Sequence, residues 1–206
     1  MRGEDGVKRC RWASSTPDYF AYHDLEWGRP VVDDTALYEK LCLEGFQSGL
    51  SWITILRKRD NFRKAFKGFD HTKVARFTTK DVNRLLKDAG IVHNRAKIEA
   101  TIANARAMDT VIAEHGSLAA LCWEFRTPAR HKAPRRFGDI PSKTDASVAL
   151  SKRLLKLGFR FVGPTTVYAM MQATGIVNDH LVGCVARAAC EEERKRVSSR
   201  LPSRSR

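Results

Sequence analysis

No run of the 206 residues approaches the roughly 18 consecutive uncharged apolar residues that a membrane-spanning helix needs, and residues 1–10 are too polar for a signal-peptide core. These absences predict a cytoplasmic protein with no membrane partner. Period-two alternation of apolar and polar residues is scarce as well, which excludes an extended sheet as the main element. Acidic residues are outnumbered, with 23 Asp and Glu against 37 Lys and Arg, for a net charge of +14. Such a surplus suits a polyanionic partner, because each phosphate neutralised releases counterions. Part of it lies in residues 187–206, yet the rest of the chain stays basic without them. The five cysteines, Cys10, Cys42, Cys122, Cys184 and Cys190, are odd in number and irregular in spacing. They fit reduced thiols or a metal site better than a disulfide framework.

What the sequence does carry is helical periodicity, and it predicts an all-α fold. Residues 35–47 place Leu37, Leu41 and Glu44 on one face, with Tyr38, Cys42 and Gly45 beside it. Residues 51–66 repeat Trp52, Ile55, Leu56, Phe62 and Phe66 at helical spacings, and residues 93–114 do the same with Ile98, Ile102, Ala105 and Met108. Residues 145–157 open after Thr144, a capping residue, and close before Gly158. Residues 127–140, rich in Pro and Arg, read as a surface crossing. From about residue 191 a charge run ends in Ser, Pro and Arg and reads as a disordered basic tail. The expected organisation is one domain of two helical lobes over 1–190 and a tail over 191–206.

The string LGFRFVGPTT at 157–166 is a helix end, a glycine-bearing turn and the start of a second helix that runs to about Gly175. Such a hairpin offers the backbone N–H groups of Val162 and Gly163 to a DNA phosphate, although an ordinary turn between two helices would look the same. Together with NDHLV at 178–182, this region resembles the helix-hairpin-helix DNA glycosylase superfamily. Matching the superfamily's histidine to His180 sets Asn178, not Asp179, at the position of its catalytic carboxylate. Matching the hairpin glycine to Gly163 puts Thr165 where bifunctional members carry a nucleophilic lysine. Without that amine no Schiff base forms, so the resemblance implies hydrolysis of a glycosidic bond and no strand cleavage.

Further strings narrow the resemblance. CRW at 10–12, YFAYHDLEWG at 19–28, LEGFQSGLSWIT at 43–54, DAGI at 88–91 and NDHLVGC at 178–184 resemble the bacterial 3-methyladenine DNA glycosylase I family, over residues 8–185. The resemblance implies a structural zinc ion on Cys10, His23, His180 and Cys184, tying the two ends of the chain together. Four protein ligands leave no open position for water, and His180 and Cys184 would share one face if their segment were helical. Cys190 is an alternative ligand. Cys42 and Cys122 read as core.

The family's base-recognising glutamate falls on Glu44, the expected catalytic-site residue. N3-methylated deoxyadenosine is cationic, so a carboxylate and aromatic faces attract it. Trp52 is the expected stacking platform, with Tyr22, Tyr19, Trp12 and Trp27 as walls. The turn at 47–50 would present Gly49 and Leu50 as a wedge into the gap left by a flipped base, or serve as a plain connection. The expected partner is double-stranded alkylated DNA, with the protein a monomer that needs no protein partner. A non-catalytic damage-binding module and a glycosylase of broader range are the alternatives, and the Glu44, Trp52 and Tyr22 set argues against the first.

Overall fold

The computed structural model describes residues 5–127 and 132–201. Parts of the expected crossing (128–131) and of the expected tail (202–206) lie outside the described residues. Ten α-helices and no β-strand occur among the described residues: α1 Pro17–Leu25, α2 Asp34–Gln47, α3 Trp52–Ala65, α4 His71–Val74, α5 Thr79–Leu85, α6 Arg95–His115, α7 Leu118–Trp123, α8 Asp145–Lys156, α9 Pro164–Ala173 and α10 Arg187–Ser198. Among the described residues, no helix is long and apolar enough to cross a membrane.

Side-chain caps set most helix starts, each satisfying a backbone N–H that the first turn leaves without a partner. Asp33 accepts from Ala36, Asn94 from Lys97, Ser117 from Ala120 and Thr144 from Ser147. The helices bury one continuous apolar cluster that includes Leu37, Leu41 and Phe46 of α2, Ile55 and Phe62 of α3, Ile98 and Met108 of α6, Trp123 of α7, Leu150 of α8 and Met171 of α9. Cys42 and Cys122 lie in it, as expected.

Two polar contacts fix the pieces that later matter. Buried Lys97 donates from Nζ to the carbonyls of Phe46 (2.8 Å) and Ser48 (2.5 Å), a cation at the negative end of α2. Asn104 of α6 brackets the turn between α8 and α9, accepting from Arg160 N at 2.7 Å and donating to Arg160 O at 3.2 Å, while Ser151 donates to Val162 O at 2.6 Å. A Cβ on Gly45 would meet Phe161 Cβ at 3.3 Å, so α2 lies close against this turn.

The expectation of disorder from residue 191 is corrected, because α10 runs to Ser198. Several of its charges have partners: Arg194, 4% exposed, pairs with Glu191 at 3.0 Å and donates to the Thr127 carbonyl at 2.8 Å. A charge run reads as solvated only when its partners are out of view.

Gly175, with φ of +71°, lets the end of α9 press against residues 28–30; a Cβ there would sit 2.8 Å from Gly28 O and Pro30 N. Gly116 has a similar φ of +77° but open space around it. Gly116→Ala should therefore cost about 1–3 kcal/mol of stability, the positive-φ backbone penalty alone. Gly175→Ala should cost measurably more in urea unfolding. Equal costs would contradict the close approach.

Candidate base-binding cavity and metal-donor cluster

A cavity of about 520 Å³, within the range of small-molecule sites, opens between α1–α3 on one side and α9 with residues 137–142 on the other. It gathers every aromatic residue that the sequence nominated. Trp12, Tyr19, Tyr22, Trp27 and Trp52 all line it, together with Glu44, Gln47 and Thr165. Trp12 packs edge-on against Tyr19 (5.5 Å between centroids) and Trp27 (5.1 Å), and Tyr22 lies 5.5 Å from Trp52 at an interplanar angle of 40°. Trp52 Nε1 is buried without a hydrogen-bond partner among the described residues. Such a donor costs about 1–3 kcal/mol in a folded protein, so its survival on a cavity wall favours a functional reading.

Glu44 is 6% exposed and sits among these rings. Burial pushes its carboxyl up to about 7, while the positive charge of Lys40, one turn earlier on α2, pulls it back toward the ionised form. A carboxylate taken from water this far is stable as an anion only if a positive charge is near, from the protein or from a ligand.

Among the lining residues that escaped the sequence reading are Phe137, Ile140, Tyr168 and Gln172. The first two belong to the segment read as a surface crossing. Tyr168 and Gln172 both donate to Asp179 Oδ2, at 2.5 and 2.8 Å, so a buried carboxylate braces this wall from behind. Asn178 turns the other way and donates to the Arg187 carbonyl and to Glu191. The acid coupled to the cavity is therefore Asp179, which the alignment of motifs had passed over. Gly49 and Leu50 form the turn between α2 and α3, outside the cavity lining, with Gly49 at φ +81° and Leu50 43% exposed. Val162 and Gly163 precede α9, and Gly163 is its N-cap, without a side chain to cover the helix N-terminus.

Behind the aromatic wall, ligand atoms of Cys10, His23, His180 and Cys184 all lie within 4.8 Å of one another. Cys184 Sγ is 3.4 Å from both His23 Nε2 and His180 Nδ1, and Cys10 Sγ is 3.7 Å from His180 Nδ1. Those separations are close to the edges of a tetrahedron built on metal–sulfur and metal–nitrogen bonds of about 2.3 and 2.0 Å. The far ring nitrogens are held as metal-binding histidines usually are: His23 Nδ1 meets Asp24 at 2.7 Å and His180 Nε2 meets the Trp27 carbonyl at 3.0 Å. Arg9 in turn holds Asp24 at 2.9 Å. Gly28 leaves room for this, since a Cβ there would lie 2.8 Å from His180 Nε2. The cluster can hold a metal ion.

Cys190 is buried nearby but is not among the four, its Sγ facing the Trp27 carbonyl at 4.0 Å. His180 and Cys184 meet through a turn and not along a helix: Cys184 N donates to Leu181 O, and Gly183 takes φ +78°. The cluster and the cavity share a wall. Trp27 packs 4.7 Å from His180, and Trp12 packs 5.2 Å from His23.

A family model described as methyladenine glycosylase matches residues 12–188. The chain belongs to that family. It is 49% identical over 180 residues to DNA-3-methyladenine glycosylase 1 of Escherichia coli, covering 86% of this chain and 96% of that protein. A crystal structure of 3-methyladenine DNA glycosylase I superposes with a TM-score of 0.84 at 47% identity, over 87% of this chain and 100% of that one. A structure addressing 3-methyladenine recognition by the Staphylococcus aureus enzyme superposes at 0.81 with 34% identity, over 87% and 96% of the two chains. In this glycosylase, then, the all-helical frame is that of its solved relatives.

The burial of Glu44 has a direct readout. In the free glycosylase, ¹³C NMR of glutamate carboxyls should give Glu44 a midpoint near pH 7 against about 4.5 for exposed glutamates. The sign follows: between those values the folded state keeps a proton that the unfolded chain releases, so this group's contribution to stability falls as pH rises through the window. A midpoint at the exposed value would contradict the enclosure.

Proposed function

We propose that this chain is a monofunctional DNA-3-methyladenine glycosylase, which hydrolyses the N-glycosidic bond of 3-methyladenine in alkylated duplex DNA. The observation that carries the reading is Glu44, a carboxylate buried in a cavity walled by aromatic rings. N3-methylation makes the nucleotide cationic. A flipped cationic base is attracted by the rings of Trp52, Tyr22, Tyr19, Trp12 and Trp27 and by the Glu44 anion, whereas neutral adenine gains much less.

The charge also drives the chemistry. As the bond between C1′ and the base breaks, its electron pair flows to the base and neutralises it. Water forms the new bond to C1′ and loses a proton. The leaving group is already activated, so flipping, desolvation and charge complementarity supply most of the acceleration. Thr165 supports a monofunctional enzyme, since a hydroxyl on the cavity wall cannot form an imine with the sugar.

Duplex DNA is held by the net +14 surface and by the α8–turn–α9 unit, read as a helix-hairpin-helix, whose Val162 and Gly163 backbone faces a phosphate. The Gly49–Leu50 turn fills the gap left by the flipped base. Helix α2, which leads into that turn, lies against the hairpin through Gly45 and Phe161, which supports both roles on one face. The reading carries with it a cytoplasmic monomer.

Cys10, His23, His180 and Cys184 would hold one zinc ion, which when bound supplies a structural tie and no reactive position. That tie braces Trp27 and Trp12 and joins α1 to the segment before α10.

Incubation with methylated DNA should release 3-methyladenine, little 7-methylguanine, and no strand breaks before alkali treatment. Glu44→Gln should slow release about 100-fold with the fold intact. Absence of any released base would overturn the assignment. For the metal, elemental analysis should give one zinc per chain, and Cys184→Ser should lose it with a fall in Tm of more than about 5 °C. A metal-free protein of unchanged Tm would refute the tie.

A further inference from the structure

Lys40 precedes Glu44 by four residues, so both side chains leave the same face of α2. Its Nζ lies 4.7 Å from the Trp52 ring centroid and 4.9 Å from that of Tyr22, and donates to the Tyr22 hydroxyl at 3.2 Å. Trp52, Tyr22 and Glu44 line the cavity, and Lys40 does not. A fixed cation thus stands over two rings of the base site without occupying it.

The other carboxylates near Lys40 have partners of their own. Glu26, which follows α1, is bound by Arg59 of α3. Glu39 of α2 is bound by Arg63 of α3 at 3.0 Å. Asp34, at the start of α2, accepts from the first N–H groups of α7, and Lys97 of α6 is spent on carbonyls at the other end. Tyr22 of α1 and Tyr168 of α9 are held in their neutral form by burial. Burial pulls Lys40 down, and Glu44 is the first charge opposing that.

We propose that Lys40 is a positioning residue of the base site, a built-in cation whose ammonium favours the ionised form of Glu44 and so sets the lowest pH at which the glycosylase recognises 3-methyladenine. This rests on the assignment of Glu44, Trp52 and Tyr22 to that site. Two unit charges within a turn of each other, at the effective dielectric of a protein, interact by enough to move a titration by about one pH unit. Lys40 also keeps the Tyr22 hydroxyl engaged, which fixes that ring beside Trp52.

The test is the pH profile of free 3-methyladenine binding, followed by tryptophan fluorescence between pH 5.5 and 9. Wild type, Lys40→Met, Lys40→Gln, Lys40→Arg and Glu44→Gln are compared, with Tm as the check on folding. Titration of the base itself is common to all and drops out of the comparison. The acidic limb should move up by about one pH unit in Lys40→Met and Lys40→Gln and return to the wild-type position in Lys40→Arg. If Glu44→Gln abolishes binding while the neutral Lys40 variants, folded, keep the wild-type limb, the Lys40 inference is overturned. If Glu44→Gln itself binds like wild type, it is the assignment of the base site that fails.

Discussion

A carboxylate enclosed by indole and phenol rings has given up its hydration, and that loss organises the region around Glu44. The group stays an anion only beside a positive charge, so a cavity of this composition favours a ligand that brings one. Everything that holds Glu44 in place is correspondingly rigid. Helix α2 is capped at its start by Asp33, packed through Leu37 and Leu41 into the main core, and closed at its end by the buried Lys97 ammonium. Trp52, on the first turn of α3, is placed by the short turn that Lys97 stabilises.

The α1 part of the wall cannot stand by itself. Helix α1 is nine residues long and buries only Tyr22 and His23, too little to persist as an isolated helix. It is held by the chain ends: His23 in the cluster with Cys10, His180 and Cys184, Asp24 on Arg9, Arg29 on Glu193 of α10, and Gly28 under the His180 ring. The metal-donor cluster therefore bears on the shape of the cavity, because the residues that pack on it, Trp12 and Trp27, are cavity walls.

Much of this was legible in the chain. Helices α2, α3, α6 and α8 announce themselves by apolar residues at helical period, and Thr144 and Gly158 mark the ends of α8 as read. Helix α1 does not, since its residues are ordered by contacts with aromatic neighbours and the cluster and not by an apolar stripe. Helix α10 was missed because Arg194 looks solvated until Thr127 and Glu191 are seen around it. In the cavity, Glu44 and the nominated aromatics fall in short strings shared with the family. Phe137 and Ile140 follow a Pro- and Arg-rich stretch that resembles a loop, and Tyr168 keeps the spacing of a core residue. Asp179 was discounted in favour of its neighbour Asn178, and only the directions of the two side chains separate them. The cluster joins Cys10 to Cys184 across most of the chain, a pairing that spacing cannot supply; even His180 and Cys184, four residues apart, meet by a turn and not along a helix.

The central claim is that the Glu44 carboxylate and the faces of Trp52 and Tyr22 together form the seat of the base. It is tested most directly by titrating 3-methyladenine into the protein with ¹³C-labelled glutamate and aromatic residues. The account predicts a shift of the Glu44 carboxyl carbon and nuclear Overhauser contacts from the base's methyl group to the Trp52 and Tyr22 rings. A base that binds with contacts elsewhere and leaves the Glu44 carbon unmoved would contradict it.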